Sequence, residues 1–299
     1  MTNKPVVAGI GELLWDVLPS GKQLGGAPCN FAFHAKQAGC ESYVISSVGK
    51  DDLGKELMNV VLQLGLPNKY IQENEFPTST VSVKLDKEGH PDFTIHENVA
   101  WDHIRWNGDL DEIAKELDAV CFGSLAQRNK ESEKSIRSFL TATKDDCLKV
   151  FDINLRQTYY SRDIINNSLE VSNILKLNED ELPIVSDYFG FKGSADDQLE
   201  QIIKAFNLKY VVYTLGSKGS IIKSEKETSF TEVHQIKVED TVGAGDAFTA
   251  IFIAGILKGI PLKETHKKAT EFAAMVCTRK GATPKLNVNI FEKTNTKVK

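Results

Sequence analysis

The alternation of short apolar runs with amphipathic stretches constrains this chain more than any other feature. Val6–Ile10, Tyr43–Val48, Ala119–Phe122, Lys149–Ile153, Ile174–Leu177 and Tyr210–Leu215 are near-continuous apolar runs of strand length. Such runs suit parallel strands covered on both faces. Between them, Asn30–Gln37, Leu53–Leu64, Lys130–Ala142 and Asp197–Ala205 carry helical periodicity. Strand, helix, strand in that order predicts a three-layer α/β/α sandwich with a mostly parallel central sheet. The final third changes character. Ala244–Leu257 and Leu262–Arg279 read as two long helices, with Gly259-Ile260-Pro261 as punctuation.

Two regions do not fit a parallel sheet. Thr80–Leu85 and Asp92–His96 alternate in polarity and flank a turn-rich linker, which predicts a β-hairpin. Leu13–Leu18, followed by Pro19-Ser20-Gly21, reads as another antiparallel piece. Both stand apart from the helical crossovers. They are expected to form a small β-sheet lid from about 13–24 and 80–97, within a single domain of residues 1–299, the alternative being an ordinary hairpin at the edge of the sheet. The polar, Lys-rich end, 289–299, is expected to fray.

Composition narrows the function classes. A chain of 299 residues buries a core without a disulfide or metal staple. The net charge of −5 argues against a nucleic-acid binder that works by bulk charge, but not against a small anionic ligand held by local groups. No run approaches the roughly 20 apolar residues of a membrane helix, and Val6–Ile10 is shorter than a signal-peptide core of about 7–15 residues. The five cysteines are odd in number with no C-x-x-C spacing, so buried free thiols in a cytoplasmic protein are expected. The six histidines form no ligand pattern and are expected on the surface or the lid. Walker, dinucleotide, zincin and nucleophile-elbow motifs are all absent.

The strongest chemical signal is Asp240-Thr241-Val242-Gly243-Ala244-Gly245-Asp246. Three small residues open a helical pattern, so unpaired N–H groups and the positive end of the helix dipole form an anion site. A carboxylate inside such a turn is a poor anion binder but a good base for a hydroxyl proton during phosphoryl transfer. Asp246 can equally stabilise the first turn as an ordinary helix N-terminal acid. Gly25-Gly26-Ala27-Pro28-Cys29-Asn30 offers a second close approach to backbone, with Asn30 on the first turn of the following helix, and equally fits a loop with a helix cap.

Three patches fall at the carboxyl ends of predicted strands, where α/β folds bind ligands. Asp152-Ile153-Asn154-Leu155-Arg156 suits sugar hydroxyls and phosphate oxygens. Asn178 and Glu181 share one helical face, suited to the waters around a phosphate-bound Mg²⁺. Thr214-Leu215-Gly216-Ser217-Lys218-Gly219 is a strand end and tight turn that can pass over a nucleotide. Each patch alone also fits a solvated loop.

Together these motifs resemble the ribokinase-like, or PfkB, carbohydrate kinases over roughly residues 5–285, in the family's order. The Gly25–Asn30 stretch matches the family's first glycine motif, with Gly39 and Gly49 following, and Asp240–Asp246 matches its second. The resemblance implies the sandwich with a β lid. It implies Asp246 as catalytic base, the Gly243, Ala244, Gly245 and Asp246 backbone as anion hole, and Arg156 on the transferring group. Asp16, Gly25, Gly26, Asn30 and Asn154 would contact the sugar. Asn178, Thr214, Gly216, Ser217 and Gly219, with Gly243 and Gly245, would bind ATP. Asn178 and Glu181 would hold Mg²⁺ through water, and Asp240, Val242, Val276 and Gly281 would hold K⁺. A homodimer through the lid is the assembly such relatives suggest, with neither nucleic acid nor membrane as partner. Gly-Gly-Ala-Pro, Gly123-Ser124-Leu125 and Asp152-x-Asn154-x-Arg156 resemble bacterial fructokinases most. Kinases of 2-keto-3-deoxygluconate, ribose or nucleosides, and a silent sugar sensor, remain alternatives. Ile251 and Lys285 depart from the pattern. Trp15, Trp101 and Trp106 fit either a lid pocket or ordinary packing.

Overall fold

The structure, a computed structural model, describes residues 4–18, 21–85, 91–233, 235–286 and 290–291. The expected hairpin turn and nearly all of the expected frayed tail lie outside these residues. The strands are β1 (Val6–Ile10), β2 (Leu14–Leu18), β3 (Gly21–Gly25), β4 (Glu41–Gly49), β5 (Ile71–Asn74), β6 (Ser79–Leu85) and β7 (Pro91–Ile95). They continue as β8 (Ala119–Phe122), β9 (Leu148–Asp152), β10 (Ile174–Asn178), β11 (Tyr210–Thr214), β12 (Ser220–Lys223) and β13 (Thr228–Thr231). The helices are α1 (Ala27–Gln37), α2 (Asp52–Gln63), α3 (Gly108–Ala114), α4 (Lys130–Ala142) and α5 (Arg162–Val171). They continue as α6 (Glu181–Phe189), α7 (Ala195–Phe206), α8 (Ala244–Leu257) and α9 (Leu262–Cys277).

Nine strands form the main sheet in the order β13-β12-β11-β10-β9-β8-β1-β4-β5. From β5 to β11 every pairing is parallel, and β12 and β13 add an antiparallel edge. Successive residues of a strand point to opposite faces. In β1, Val7 joins the core under α1, α8 and α9, while Ala8 and Ile10 join the core on the other face. This two-sided burial explains why the strand sequences read as continuous apolar runs.

The second sheet has the order β3-β2-β6-β7. Two chain excursions build it. The hairpin β2–β3 and the hairpin β6–β7 meet through a parallel β2–β6 pairing, Leu14 opposite Ser79. The expected α/β sandwich with a small β-sheet lid is therefore what forms. The sequence pattern did not reveal β5, β12, β13, α3, α5 and α6. The three strands have four residues each, and β12 and β13 flank the polar turn Ser224–Glu227.

The histidine expectation fails for three residues. His34 and His266 are fully buried, and His103 nearly so. His266 sits between the Ser220 and Ser229 hydroxyls at 2.8 Å each, stitching α9 to β12 and β13. His34 Nε2 lies 2.8 Å from the Ala282 carbonyl oxygen. Burial pushes both imidazoles down to about 4, so they stay neutral. Of the tryptophans, Trp101 is wholly buried and Trp15 nearly so, with its Nε1 donating to the Leu53 carbonyl at 3.1 Å. Trp106 packs edge-on against Phe139. Packing is their main role here.

One close approach seats α1 on the sheet. A Cβ at Gly9 would lie 2.1 Å from the Pro28 carbonyl oxygen, so only glycine lets α1 descend this far. Gly9→Ala is expected to cost at least about 2 kcal/mol, the scale of core overpacking. Chemical denaturation of variant and parent checks this.

Candidate active site

The two glycine motifs meet in space. Gly26, at φ 110°, precedes α1, and its Cβ position is closed by the Glu12 carbonyl oxygen at 2.4 Å. Asn30, on the first turn, is buried and donates from Nδ2 to Asp246 Oδ2 at 2.8 Å. Asp246 stands on the first turn of α8, which Gly243 opens in the left-handed region at φ 77°. A Cβ at Gly243 would strike Ala282 at 2.6 Å. The Ala244 amide leans on the Thr241 carbonyl at 3.3 Å. First-turn amides of a helix have no partner within the helix.

Beneath this turn lies a buried ion pair. Lys176 Nζ contacts Asp152 Oδ1 and Oδ2 at 2.8 and 2.9 Å. Thr249 of α8 donates to the same carboxylate at 3.3 Å. A Cβ at Gly245 would stand 3.3 Å from Lys176 Nζ, so the helix start rests almost on the ammonium. Sequence reasoning named Asp152 and Lys176 only as members of two separate strand-end patches and gave neither a role. The available signal was a lysine inside the apolar run Ile174–Leu177.

A group of acids faces the same space. Burial, followed by the Asp152 charge, pushes Asp246 up to about 6, against the Asn30 hydrogen bond and the charges of Lys176 and Arg156. Burial pushes Asp16 up to about 6. Glu12, which the sequence reading missed, is buried and pushed up to about 7, mainly by loss of solvation and partly by Asp246. The positive charge of Arg156 opposes the rise at all three. Arg156 itself is exposed, and its Nη1 donates to the Leu155 carbonyl at 3.2 Å. Asn154, just before it, is held at φ 42°. Gly25 makes room for Asp16: a Cβ there would lie 2.4 Å from Asp16 Oδ2.

The residues expected to line a nucleotide begin at the carboxyl ends of two neighbouring strands. Asn178 of β10 lies in register with Thr214 of β11. Gly216 (φ 56°) and Gly219 (φ 121°) shape the turn that follows, and Ser217 on it is exposed. Asn178 and Glu181 form a reciprocal cap. Asn178 Oδ1 accepts from the Asp180 and Glu181 amides, and Glu181 Oε2 accepts from the Asn178 amide, each at 2.9 Å. Glu181 Oε1 accepts from the Leu155 amide at 2.9 Å. Both oxygens of this buried carboxylate thus hold backbone. Asp240 ties two loops together, accepting from Val242 N at 3.0 Å and Gly281 N at 2.9 Å. The Val276 carbonyl accepts from Arg279 N at 2.9 Å. No group of three or more metal-ligating His, Cys, Asp or Glu side chains occurs among the described residues. Nor do those residues include a helix long and apolar enough to cross a membrane.

A family model for pfkB family carbohydrate kinases matches residues 19–289. A curated fructokinase of Klebsiella pneumoniae is 29% identical, over 91% of this chain and 93% of its own. An ATP-dependent 6-phosphofructokinase of Thermoanaerobacterium thermosaccharolyticum is 28% identical, over 87% of this chain and 84% of its own. The crystal structure of a sugar kinase from Pyrococcus horikoshii in complex with ATP superposes with a TM-score of 0.79. It is 28% identical and covers 93% of this chain and 94% of its own.

The raised acidity constant of Asp246 has a consequence for stability. Its carboxyl titrates near 3.8 when unfolded and near 6 when folded. The fold holds the proton more tightly, so it loses stability as pH rises through that window. Asp246→Asn, which cannot ionise, is expected to be more stable than the parent above pH 7. That advantage should shrink toward zero as pH falls from about 6 to about 4. Thermal denaturation across pH reads the difference.

Proposed function

Because the chain belongs to the pfkB family of carbohydrate kinases, we propose that it transfers the γ-phosphoryl group of ATP to a hydroxyl of fructose, giving fructose 6-phosphate and ADP. The observation that carries this reading is the Asn30–Asp246 hydrogen bond. It brings the sugar-side glycine motif against the phosphoryl-side one across 216 positions of sequence. Fructose lies between the sheet and the lid, against Asp16, Gly25, Gly26, Asn30 and Asn154. ATP lies along Asn178, Thr214, Gly216, Ser217 and Gly219, with its γ-phosphoryl at Gly243–Asp246.

In the reaction the sugar oxygen forms a bond to γ-phosphorus while the bond to the β-phosphate oxygen breaks. The hydroxyl proton passes to Asp246. A base titrating near 6 is largely ionised at neutral pH, and in a loose transition state it need not act early. The amides of Gly243, Ala244, Gly245 and Asp246, with Arg156, offset the charge spread over the transferring group. Asn178 and Glu181 would hold Mg²⁺ through water, and the ion when bound neutralises phosphate charge. Asp240, Val242 and Gly281 lie on loops tied together through the Asp240 carboxylate, Val276 is in the last turn of α9, and together they would hold K⁺.

Charge favours a neutral sugar. Glu12, Asp16 and Asp246 put three acids at the candidate site, so a sugar bearing its own phosphate or carboxylate adds negative charge beside them. An ADP-release assay over fructose, ribose, 2-keto-3-deoxygluconate, adenosine and fructose 6-phosphate is expected to show the highest kcat/KM with fructose. A different preferred substrate rejects the fructose assignment and keeps the kinase. In the same assay Asp246→Asn is expected to lower kcat by about 100-fold or more, with the KM for ATP nearly unchanged. Turnover close to the parent's would remove Asp246 from the role of base.

A further inference from the structure

We propose that Tyr159 is a positioning residue that couples the seating of the lid to the placement of Arg156. The inference rests on the kinase reading above for what the coupling achieves, but its geometry stands independently.

Tyr159 belongs to the same turn as Arg156. Its backbone N–H donates to the Arg156 carbonyl at 3.0 Å, closing a turn with Gln157 at φ 47°. Its side chain reaches the other way. The phenol hydroxyl lies 2.9 Å from Glu97 Oε1 and 3.3 Å from the Ile95 carbonyl oxygen. Ile95 is the last residue of lid strand β7. One phenolic proton cannot serve both acceptors fully, and the shorter contact is the charge-assisted one.

The phenol ring is fixed from its face. The Arg128 guanidinium stands 4.7 Å from the Tyr159 ring centroid and 4.1 Å from that of Trp101. The same guanidinium donates from Nε and Nη2 to the two oxygens of Asp102 at 2.8 and 2.9 Å, and from Nη2 to the His96 carbonyl at 2.5 Å. The Arg128 and Asp102 side chains are only 6% and 2% exposed, so this fork is rigid and hardly screened. Arg128 and Tyr159 thus hold three consecutive residues, Ile95, His96 and Glu97, where the chain leaves the lid. Arg128 Nη1 is buried without a hydrogen-bond partner. That unsatisfied donor is a cost.

The other root of the β6–β7 hairpin is pinned separately. Thr78 donates to Asp51 from its amide at 2.8 Å and from its hydroxyl at 2.7 Å. With one root fixed to the start of α2, the position of the other decides how the hairpin lies on the sheet. Tyr159 links that second root to the backbone of Arg156. A lid seated by sugar would draw Arg156 into place, and a displaced lid would withdraw it. Water, competing as phosphoryl acceptor, would then meet an incomplete site.

The test is Tyr159→Phe in the full chain, which keeps the ring and the stacking and removes only the hydroxyl. Expected results are a fall of roughly 10-fold in kcat/KM for the sugar, an unchanged KM for ATP, and more ATP hydrolysed per sugar phosphorylated. Hydrogen exchange should quicken in β7 and in residues 153–160 together, with the rest of the main sheet unchanged. Glu97→Gln, which preserves an acceptor, should lie near the parent. Sugar kinetics equal to the parent's, or faster exchange confined to 153–160, would overturn the coupling. If the parent phosphorylates no sugar of the panel, the functional reading fails, while the exchange result still decides the coupling.

Discussion

The site depends on the buried pair of Lys176 and Asp152. It sits where the parallel strands end and α8 begins, and it fixes the helix start from below through Thr249 and through contact at Gly245. A buried ion pair loses much of its Coulomb gain to desolvation, and a well-packed apolar pair is often as stable or more so. Its physical value here lies in the field it sets. Burial raises the Asp246 carboxyl, the Asp152 charge adds to that and the ammonium opposes it, so the candidate base titrates near 6. A leucine and a valine in those places would support the helix without tuning the acid.

Burial of its acids makes the site a local weakness of the fold. Glu12, Asp16 and Asp246 all hold their protons more tightly in the folded chain than unfolded. Each therefore costs stability at neutral pH. The large two-sided core carries that cost, with residues such as Phe31, Phe122, Phe151, Phe252 and Phe272 almost wholly enclosed. Fold and function divide the sheet between them: its faces hold the molecule together, and its carboxyl ends are left polar and strained.

This division also governs what the sequence could reveal. The faces were legible because burial on both sides leaves continuous apolar runs, as in Val6–Ile10 and Tyr210–Thr214. The turns of the candidate site were legible where glycine is obligatory, at Gly26 and Gly243, whose positive φ and blocked Cβ positions admit little else. Glu12 escaped notice because a glutamate after a strand usually reaches solvent, and nothing local announces that α1 folds over it. Lys176 escaped because its partner lies 24 residues away on the next strand. The buried histidines misled for the same reason: Ser220, Ser229 and Ala282 satisfy them from distant segments. Glu181 was legible as a motif but not in its local work, since its contact with the Leu155 amide exists only after β9 and β10 pair.

The lid raises a topological point that the main sheet does not. It is not a hairpin appended to a domain but two excursions that meet, β2–β3 from the end of β1 and β6–β7 from beyond β5. Neither is a sheet alone, and two-stranded hairpins are marginal in water. Their parallel β2–β6 seam therefore makes the lid cooperative: displacing one excursion exposes the edge of the other. β2 carries Asp16, and the return from β3 delivers Gly25 and Gly26 to the start of α1, so sugar-binding candidates lie on one excursion. The hairpin β6–β7 carries none of them, yet its far root is held beside the turn of Arg156. Sugar bound at those candidates would thus act, through the seam, on a hairpin rooted beside the turn of Arg156. That path runs through backbone pairing and one clasp, and needs no flexible side chain to reach across the cleft.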